Sequence, residues 1–459
     1  MKKTLFTCFI IFSFIHETKA QTTFEKTYGT GAFEEAKSVR QTPDGGYIIG
    51  GTNLVKVDDL GLVEWIKPYP SLFANPTTDG GYILVDSNSP IVTFTKVDAI
   101  GDLLWQTFFS GGVWANEGNY IEEVNDGGYI VAGRFQSVTG SGMMLLKLNS
   151  MGQEQWRRTF SEITSAGFND GFSVQQTMDN GFIIAGRTNI DYYEPTSHED
   201  VYVVKTDSIG NLEWQRFFGG INDDSGFSVR QDNVGNYYIA GITHSFGIGV
   251  GSNMYLIKLN PSGDSLWTQT YGGNFEESAT GLWTTNDGGC ILTGSSNSFS
   301  NGDFDGYIVK TDANGDVLWT KNYGGTGIEV ANSVQQTSDN GYAIVGYTNS
   351  MGAGDFDMFL LKTDSLGNIQ TNLGSEEQFN SVNQLEVYPN PSNGIFSIES
   401  ELMISSLKII TVSGEIIYSA SVNANKALVD LSQLSSGIYF YQATIGDTKM
   451  QQSGRVILE

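Results

Sequence analysis

Apolar and polar positions alternate along this 459-residue chain in short blocks, not with a helical period. Runs such as Cys290-Ile-Leu-Thr-Gly294 and Tyr307-Ile-Val-Lys310 have the length of strands, and no segment keeps apolar residues 3.6 positions apart. Turns recur between them at Asp44-Gly45, Asp79-Gly80, Asp126-Gly127, Asn180-Gly181, Asp287-Gly288 and Asn340-Gly341, with Val234-Gly235-Asn236 a looser copy. Gly and Asn accept the positive φ that hairpin turns demand. A second turn runs Asp207-Ser-Ile-Gly210, Asp312-Ala-Asn-Gly315 and Asp364-Ser-Leu-Gly367, where Asp can bond the backbone ahead of the glycine. The pattern predicts units of four short strands whose sheets are covered on both faces.

An aromatic pair spaced four residues apart marks each unit: Phe24/Tyr28, Trp65/Tyr69, Trp105/Phe109, Trp156/Phe160, Trp214/Phe218, Trp267/Tyr271 and Trp319/Tyr323. Strand-built repeats of this length form radial arrays. The predicted fold class is therefore all-β, a seven-bladed β-propeller with tryptophans wedged between blades. After the last full unit the tryptophan position holds Thr371, while the surplus strand Thr22–Tyr28 carries Phe24 there. This N-terminal strand is expected to close the ring against the last blade. Blade 2 is the shortest and least regular unit in the sequence, with Pro70 and Pro76 near its first strand, and should be the least ordered. The Lys-Thr-Asp-x-x-Gly-x-x-x-Trp stretch resembles the tryptophan-docking repeat of pyrroloquinoline-quinone propellers. It departs from the Asp-box of sialidases in both its Gly and its Trp spacing, so no activity carries over from that family.

The two ends differ from the repeats. Residues 1–20 read as a secretory signal, with Lys2 and Lys3, an apolar stretch Leu5–Phe14 and a small-residue cleavage site at Ala20. The stretch is too short to span a bilayer and no later segment is long enough, so no transmembrane segment is expected. The propeller should occupy 21–372, a polar linker 373–384, and a small C-terminal Ig-like β-sandwich of roughly seven short strands 385–459. That tail carries Tyr388-Pro389-Asn390-Pro391 with Gly394, then Asp430-Leu431 leading to Gly437-Ile438-Tyr439, and a closing Gly454-Arg-Val-Ile457. It resembles the type A C-terminal sorting domain of the bacterial type IX secretion system, although Leu458-Glu459 replaces the Lys-rich ending common there. The resemblance implies export across both membranes of a diderm cell, a translocon as partner, and an extracellular or outer-surface location.

The net charge of −26 becomes more negative once Lys2, Lys3, Lys19 and Glu17 leave with the signal. Nucleic acid and anionic membranes need neutralising cations, so neither is expected as a partner. Signal removal leaves Cys290 as the single cysteine, and no internal disulfide can form. Only His198 and His244 then remain among histidines, in different blades, which argues against a transition-metal site. Arg134, Arg187 and Arg230 are the candidates by blade for gripping a substrate carboxylate, without an assignable Tyr-Glu partner.

Calcium is the one candidate cofactor. Asp312, Asn314 and Asp316 offer oxygens at alternating positions, but the Gly and Glu of a helix-loop-helix site are missing, and a capped β-turn is the alternative. Candidate ligand-binding residues are Tyr192, Tyr193 and His198 on the long blade-4 insertion, together with Trp114. Trp283, also off the repeat's tryptophan position, reads equally well as local packing in a strand. Two functions stay open. The favoured one is non-catalytic binding of a glycan or surface protein; the other is an extracellular carbohydrate-active hydrolase or lyase using channel carboxylates. Two facing carboxylates 5–9 Å apart would mark the enzyme.

Overall fold

The computed structural model describes residues 21–88, 90–109, 116–137, 140–161, 168–189, 198–300, 302–369, 385–411, 416–445 and 450–458. All of its regular elements are strands. The chain divides into two compact units, Met1–Thr371 and Asn372–Glu459.

The first unit contains seven four-stranded antiparallel sheets. Six are consecutive meanders; in the seventh, Phe24–Tyr28 pairs with Asp357–Thr363 and supplies the outermost strand. Phe24 lies opposite Lys362, as Trp65 lies opposite Lys56, so the N-terminal strand closes the ring in the register of every other outermost strand. The innermost strands contact one another in an unbroken cycle, from Ala36–Gln41 through to Glu329–Gln336 and back.

The four-residue aromatic spacing has a physical cause. Residues i and i+4 of a strand share a face, and the first of each pair packs on a glycine turn of the next blade. A Cβ on Gly152 would lie 2.5 Å from the Trp105 ring, and this glycine has φ +75, so the seat needs glycine twice over. At three of the pairs the second aromatic is a Tyr whose hydroxyl donates to that turn's carbonyl: Tyr28 to Gly61 at 2.9 Å, Tyr271 to Gly315 at 2.7 Å, and Tyr323 to Gly367. Where it is Phe109, Thr107 makes the bond instead, to Gly152 at 3.1 Å. Most of these tryptophans also meet an aromatic ring at the start of the next blade's second strand, as Trp105 does with Tyr129 and Trp319 with Tyr342.

A second staple ties each third strand to a hairpin turn. Lys56, Lys96, Lys147, Lys205, Lys310 and Lys362 are all buried, and each ammonium lies 2.8–2.9 Å from a turn aspartate. Blade 5 has no aspartate at that place, and Lys258 bonds the Ala313 carbonyl and covers Tyr238 and Trp267. Burial alone would raise the Asp79 pKa, but bonds from Thr77, Gly81 N and Lys96 hold it down at about 2. In blade 2 the innermost strand, Phe73–Pro76, is four residues long and alone among the seven lacks a register shift against its neighbour.

The second unit forms one five-stranded sheet, where the sequence suggested about seven short strands. Two strands are long, Ile395–Ile410 and Ile416–Asp430, and their mutual register breaks between Glu399 and Ile404. The short strands expected on either side of that break are thus merged. Phe396 and Ile398 before it and Leu407 and Ile409 after it share one buried cluster, so the halves cover a common core.

Candidate functional site

Each innermost strand presents alternate residues to the axis of the ring. The residue opposite the second position of the neighbouring strand differs from blade to blade, although the strands around it repeat. It is Arg40, Arg230 or Trp283 in blades 1, 5 and 6. In blades 2, 3, 4 and 7 it is Asn75, Glu122, Gln175 or Gln335.

These seven divide by what they bond. The second group staples the inner ring. Gln335 accepts from Gln41 N at 2.6 Å, Gln175 from Gln231 N at 2.7 Å and Glu122 from Gln176 N at 2.7 Å, and Asn75 donates to the Ile121 carbonyl at 2.6 Å. The first group makes no such bond to the next blade. Arg40 and Arg230 each donate to the carbonyl just before them, at 2.6 and 2.7 Å, and to the hydroxyl of Tyr120, at 3.4 and 3.3 Å, and Arg230 also reaches Ser173 Oγ of blade 4 at 3.5 Å. Trp283 lies against both, with its ring centre 5.2 Å from the Arg40 guanidinium and 5.3 Å from that of Arg230. Phe73 covers Arg40 at 4.8 Å.

Two cavities of about 250 Å³ and about 110 Å³ lie along the axis, and Tyr120 and Arg230 belong to the walls of both. The larger is lined by Arg40, Glu122, Gln175, Arg230 and Trp283, among others. The smaller lies toward the strand starts, where six innermost strands bulge; the bulged residues Phe172, Phe227 and Thr280 line it. Bulges re-aim side chains and are frequent beside binding sites.

Glu122 is the one carboxylate among the residues lining either cavity. Its pKa is raised, chiefly by burial, against the lowering pull of the Gln176 N–H and the two arginines. Burial lowers the pKa of Arg40, and the charge of Arg230 lowers it further.

The residues singled out from sequence fall elsewhere or outside the described set. Trp114, Tyr192 and Tyr193 lie outside the described residues. His198 precedes the third strand of blade 4, and its Nε2 is 3.9 Å from Asp200 Oδ1. Asp312 Oδ1 accepts from Asn314 N at 2.8 Å and Asp316 N at 2.9 Å and so caps its own turn. Among the described residues no three His, Cys, Asp or Glu side chains gather as a metal site. Cys290 is buried, which pushes its thiol pKa up. Arg134 and Arg187 do converge on a carboxylate, but it is the protein's own Asp170, at 3.2 and 2.9 Å. Arg230 belongs instead with Arg40, which the sequence reading missed. The signal was available: Ser38-Val-Arg40-Gln41 and Ser228-Val-Arg230-Gln231 are the same four residues, with Arg where blades 4 and 7 carry Gln175 and Gln335.

In the second unit, Tyr388, Pro389, Asn390 and Pro391 are exposed. Asn390 Oδ1 accepts from Ile457 N at 2.9 Å, and Ser392 N donates to the Ile457 carbonyl at 2.8 Å, so the segment is tied to the last strand. Gly394, at φ +101, offers its carbonyl to Leu431 N at 2.7 Å. Asp430 caps Ser432, and the Tyr439 hydroxyl donates to the Ser435 carbonyl, closing the turn that carries Gly437.

Residues 386–459 match the secretion system C-terminal sorting domain family. No curated protein matches the chain by sequence. Among solved structures, the chain is similar to the extracellular domain of a one-component system of B. thetaiotaomicron, at 12% identity and TM-score 0.45, covering 96% of this chain and 58% of that one. It thus spans less than two thirds of that protein's length. It is also similar to PorZ, a surface component of the type IX secretion system of Porphyromonas gingivalis (11% identity, TM-score 0.37, 91% of this chain and 69% of that one). The Pan2 WD40 domain of Neurospora crassa gives 12% identity and TM-score 0.45 over 72% of this chain and 89% of its own. Seven four-stranded blades and a matched sorting domain make this chain an extracellular β-propeller, secreted or at the cell surface, that carries the sorting tail of the type IX secretion system.

Proposed function

We propose that the propeller is a non-catalytic binding module whose ligand, a glycan or a segment of a surface protein, enters the central channel. The observation that carries this reading is the blade-specific layer of Arg40, Arg230 and Trp283. It sits in a strand that is otherwise repeated, and these side chains make no bond to the next blade, whereas the other four positions of the layer are used to hold the ring together. Side chains that vary where the scaffold repeats are the ones available for a ligand. Glycoside hydrolysis by the usual route needs two carboxylates flanking the scissile bond. Among the described residues the cavity walls supply one carboxylate, Glu122, and its Oε1 is engaged by Gln176 N.

The test is binding of the purified full chain to an array of glycans and surface polysaccharides, with calcium or with chelator, and product analysis of every hit. Binding that Trp283→Ala abolishes, with ligand recovered intact, supports the reading. Cleaved product overturns it in favour of a hydrolase or lyase.

A further inference from the structure

The two channel arginines lack a counter-anion of their own, and we propose that they form a subsite for an oxyanion, a carboxylate, sulfate or phosphate group carried by the channel's ligand. This rests on the channel being the binding site and names the chemistry it selects.

Arg40 and Arg230 are 6% and 7% exposed. Among the described residues neither has a carboxylate within ion-pair distance, whereas the six buried lysines of the blade staples each face an aspartate. Both guanidiniums reach one phenol oxygen, which confines their Nη2 atoms to within about 7 Å of each other. Like charges this close repel, and buried cations are retained when something supplies the opposite charge. Glu122 supplies part of it, but its Oε1 accepts from Gln176 N and its Oε2 from the Tyr120 hydroxyl at 3.4 Å, and burial raises its pKa.

Geometry argues the same way. Each arginine has one terminal nitrogen on a backbone carbonyl and the other on Tyr120, so the pair is held in place before any ligand arrives. Trp283 packs against both guanidiniums, and the larger cavity opens beside all three. A planar guanidinium presents paired donors that suit the oxygens of carboxylate, sulfate or phosphate, and two of them can grip one such group. The chain as a whole carries −26, and its exposed charges are screened beyond about 8 Å at physiological ionic strength. The channel is therefore where an anionic group meets local positive charge.

Isothermal titration of the full chain with sodium sulfate, sodium phosphate and sodium glucuronate, at ionic strength held constant with chloride, tests this. At least one probe should bind, and the one that does identifies the source of the anion. Arg40→Met and Arg230→Met should each weaken it 10-fold or more, the double variant should abolish it, and Arg40→Lys and Arg230→Lys should retain part. The Lys variants and the melting temperature of each protein separate loss of the subsite from loss of fold. No heat with any anion, or unchanged affinity in the folded double variant, overturns the proposal. If neutral glycans bind in a Trp283-dependent way while no anion does, the subsite is wrong and the binding reading stands. If binding of array ligands is untouched by every channel variant, the binding reading itself falls.

Discussion

Two pairs of arginines in this propeller are used in opposite ways. Arg134 and Arg187, from neighbouring blades, close on the buried Asp170, and each also pairs with a second carboxylate, Glu117 and Glu199 respectively. Arg40 and Arg230, from blades far apart in the chain, meet at an uncharged phenol. The first pair is a finished piece of structure that joins blades 3 and 4. The second is an unfinished piece of electrostatics, and the difference separates a staple from a site better than charge or burial does.

The sharpest way to break the comparison is to take the anion from the finished pair. Asp170→Asn leaves two partly buried arginines facing a neutral amide. Breaking a buried ion pair from one side costs about 3–5 kcal/mol. With Glu117 and Glu199 still in place, the loss should fall at about 3 kcal/mol, read from chemical denaturation. Arg230→Met removes a charge with no anionic partner, so stability should stay within about 1 kcal/mol of the parent or rise. Equal losses in both variants would mean that the channel pair is structural too.

Supplying the missing anion should finish the second pair. Gln175 lines the same cavity and staples the ring through its Oε1, which accepts from Gln231 N at 2.7 Å. Gln175→Glu keeps that acceptor and adds a negative charge beside Arg40 and Arg230. The expected outcome is a higher melting temperature together with roughly 10-fold weaker anion binding, about 1.4 kcal/mol of affinity. A variant that binds anions as well as the parent would show that the added charge and the ligand do not compete.

The lysine–aspartate staples belong with the finished pair, and acid should undo them. Asp79 is held at about 2, and the aspartates of the other staples are also lowered, by bonds that outweigh burial. A depressed carboxylate adds stability above its unfolded pKa, about 3.9, and that stability is lost as the pH falls through the folded value. Stability should therefore drop between about pH 4 and pH 2, and Lys96→Met should flatten its share of that drop. The contribution of each staple is modest, because Asp79 is more than half exposed.

How much of this was legible beforehand follows from which features repeat. The Trp-x-x-x-Tyr spacing, the glycine turns and Phe24 as the closing residue are each imposed by the same blade contact, so recurrence revealed them. Arg40 recurs only as Arg230, in the Ser-Val-Arg-Gln stretch that blades 1 and 5 share, so a search for features common to every blade passed over it. Trp283 was visible as an exception but read equally well as packing, since sequence does not say which face of an innermost strand meets the axis. Arg134 and Arg187 follow the repeated glycine whereas Arg230 lies on another strand, and accordingly the first two face the Asp170 side chain and the third faces the channel. The sorting tail was legible in its turns, where Gly394 and Asp430 act through local bonds. Its strand count was not, because two strands run through a register break that looks like a turn.

The smallest expected effect tests whether Glu122 is the channel's only internal counter-charge. Arg40, Arg230 and Tyr120 face this carboxylate, with Asn75 and Gln175 on the flanking blades. Its pKa is raised in the folded protein, so protonation begins at a higher pH than for an exposed glutamate. As the pH falls through that raised value the negative charge is lost and both arginine charges remain, so sulfate should bind a few-fold more tightly. As the pH rises again, the carboxylate ionises and affinity declines. Sulfate is the right probe, because it keeps its charge across this range while a sugar carboxylate would begin to titrate. Glu122→Gln retains the acceptor for Gln176 N at the same place, and it should bind sulfate as tightly at pH 7 as the parent does in mild acid, with the pH dependence gone. A parent profile that is flat with pH would mean that Glu122 does not share the anion's site, and that the arginine pair stands without any counter-charge.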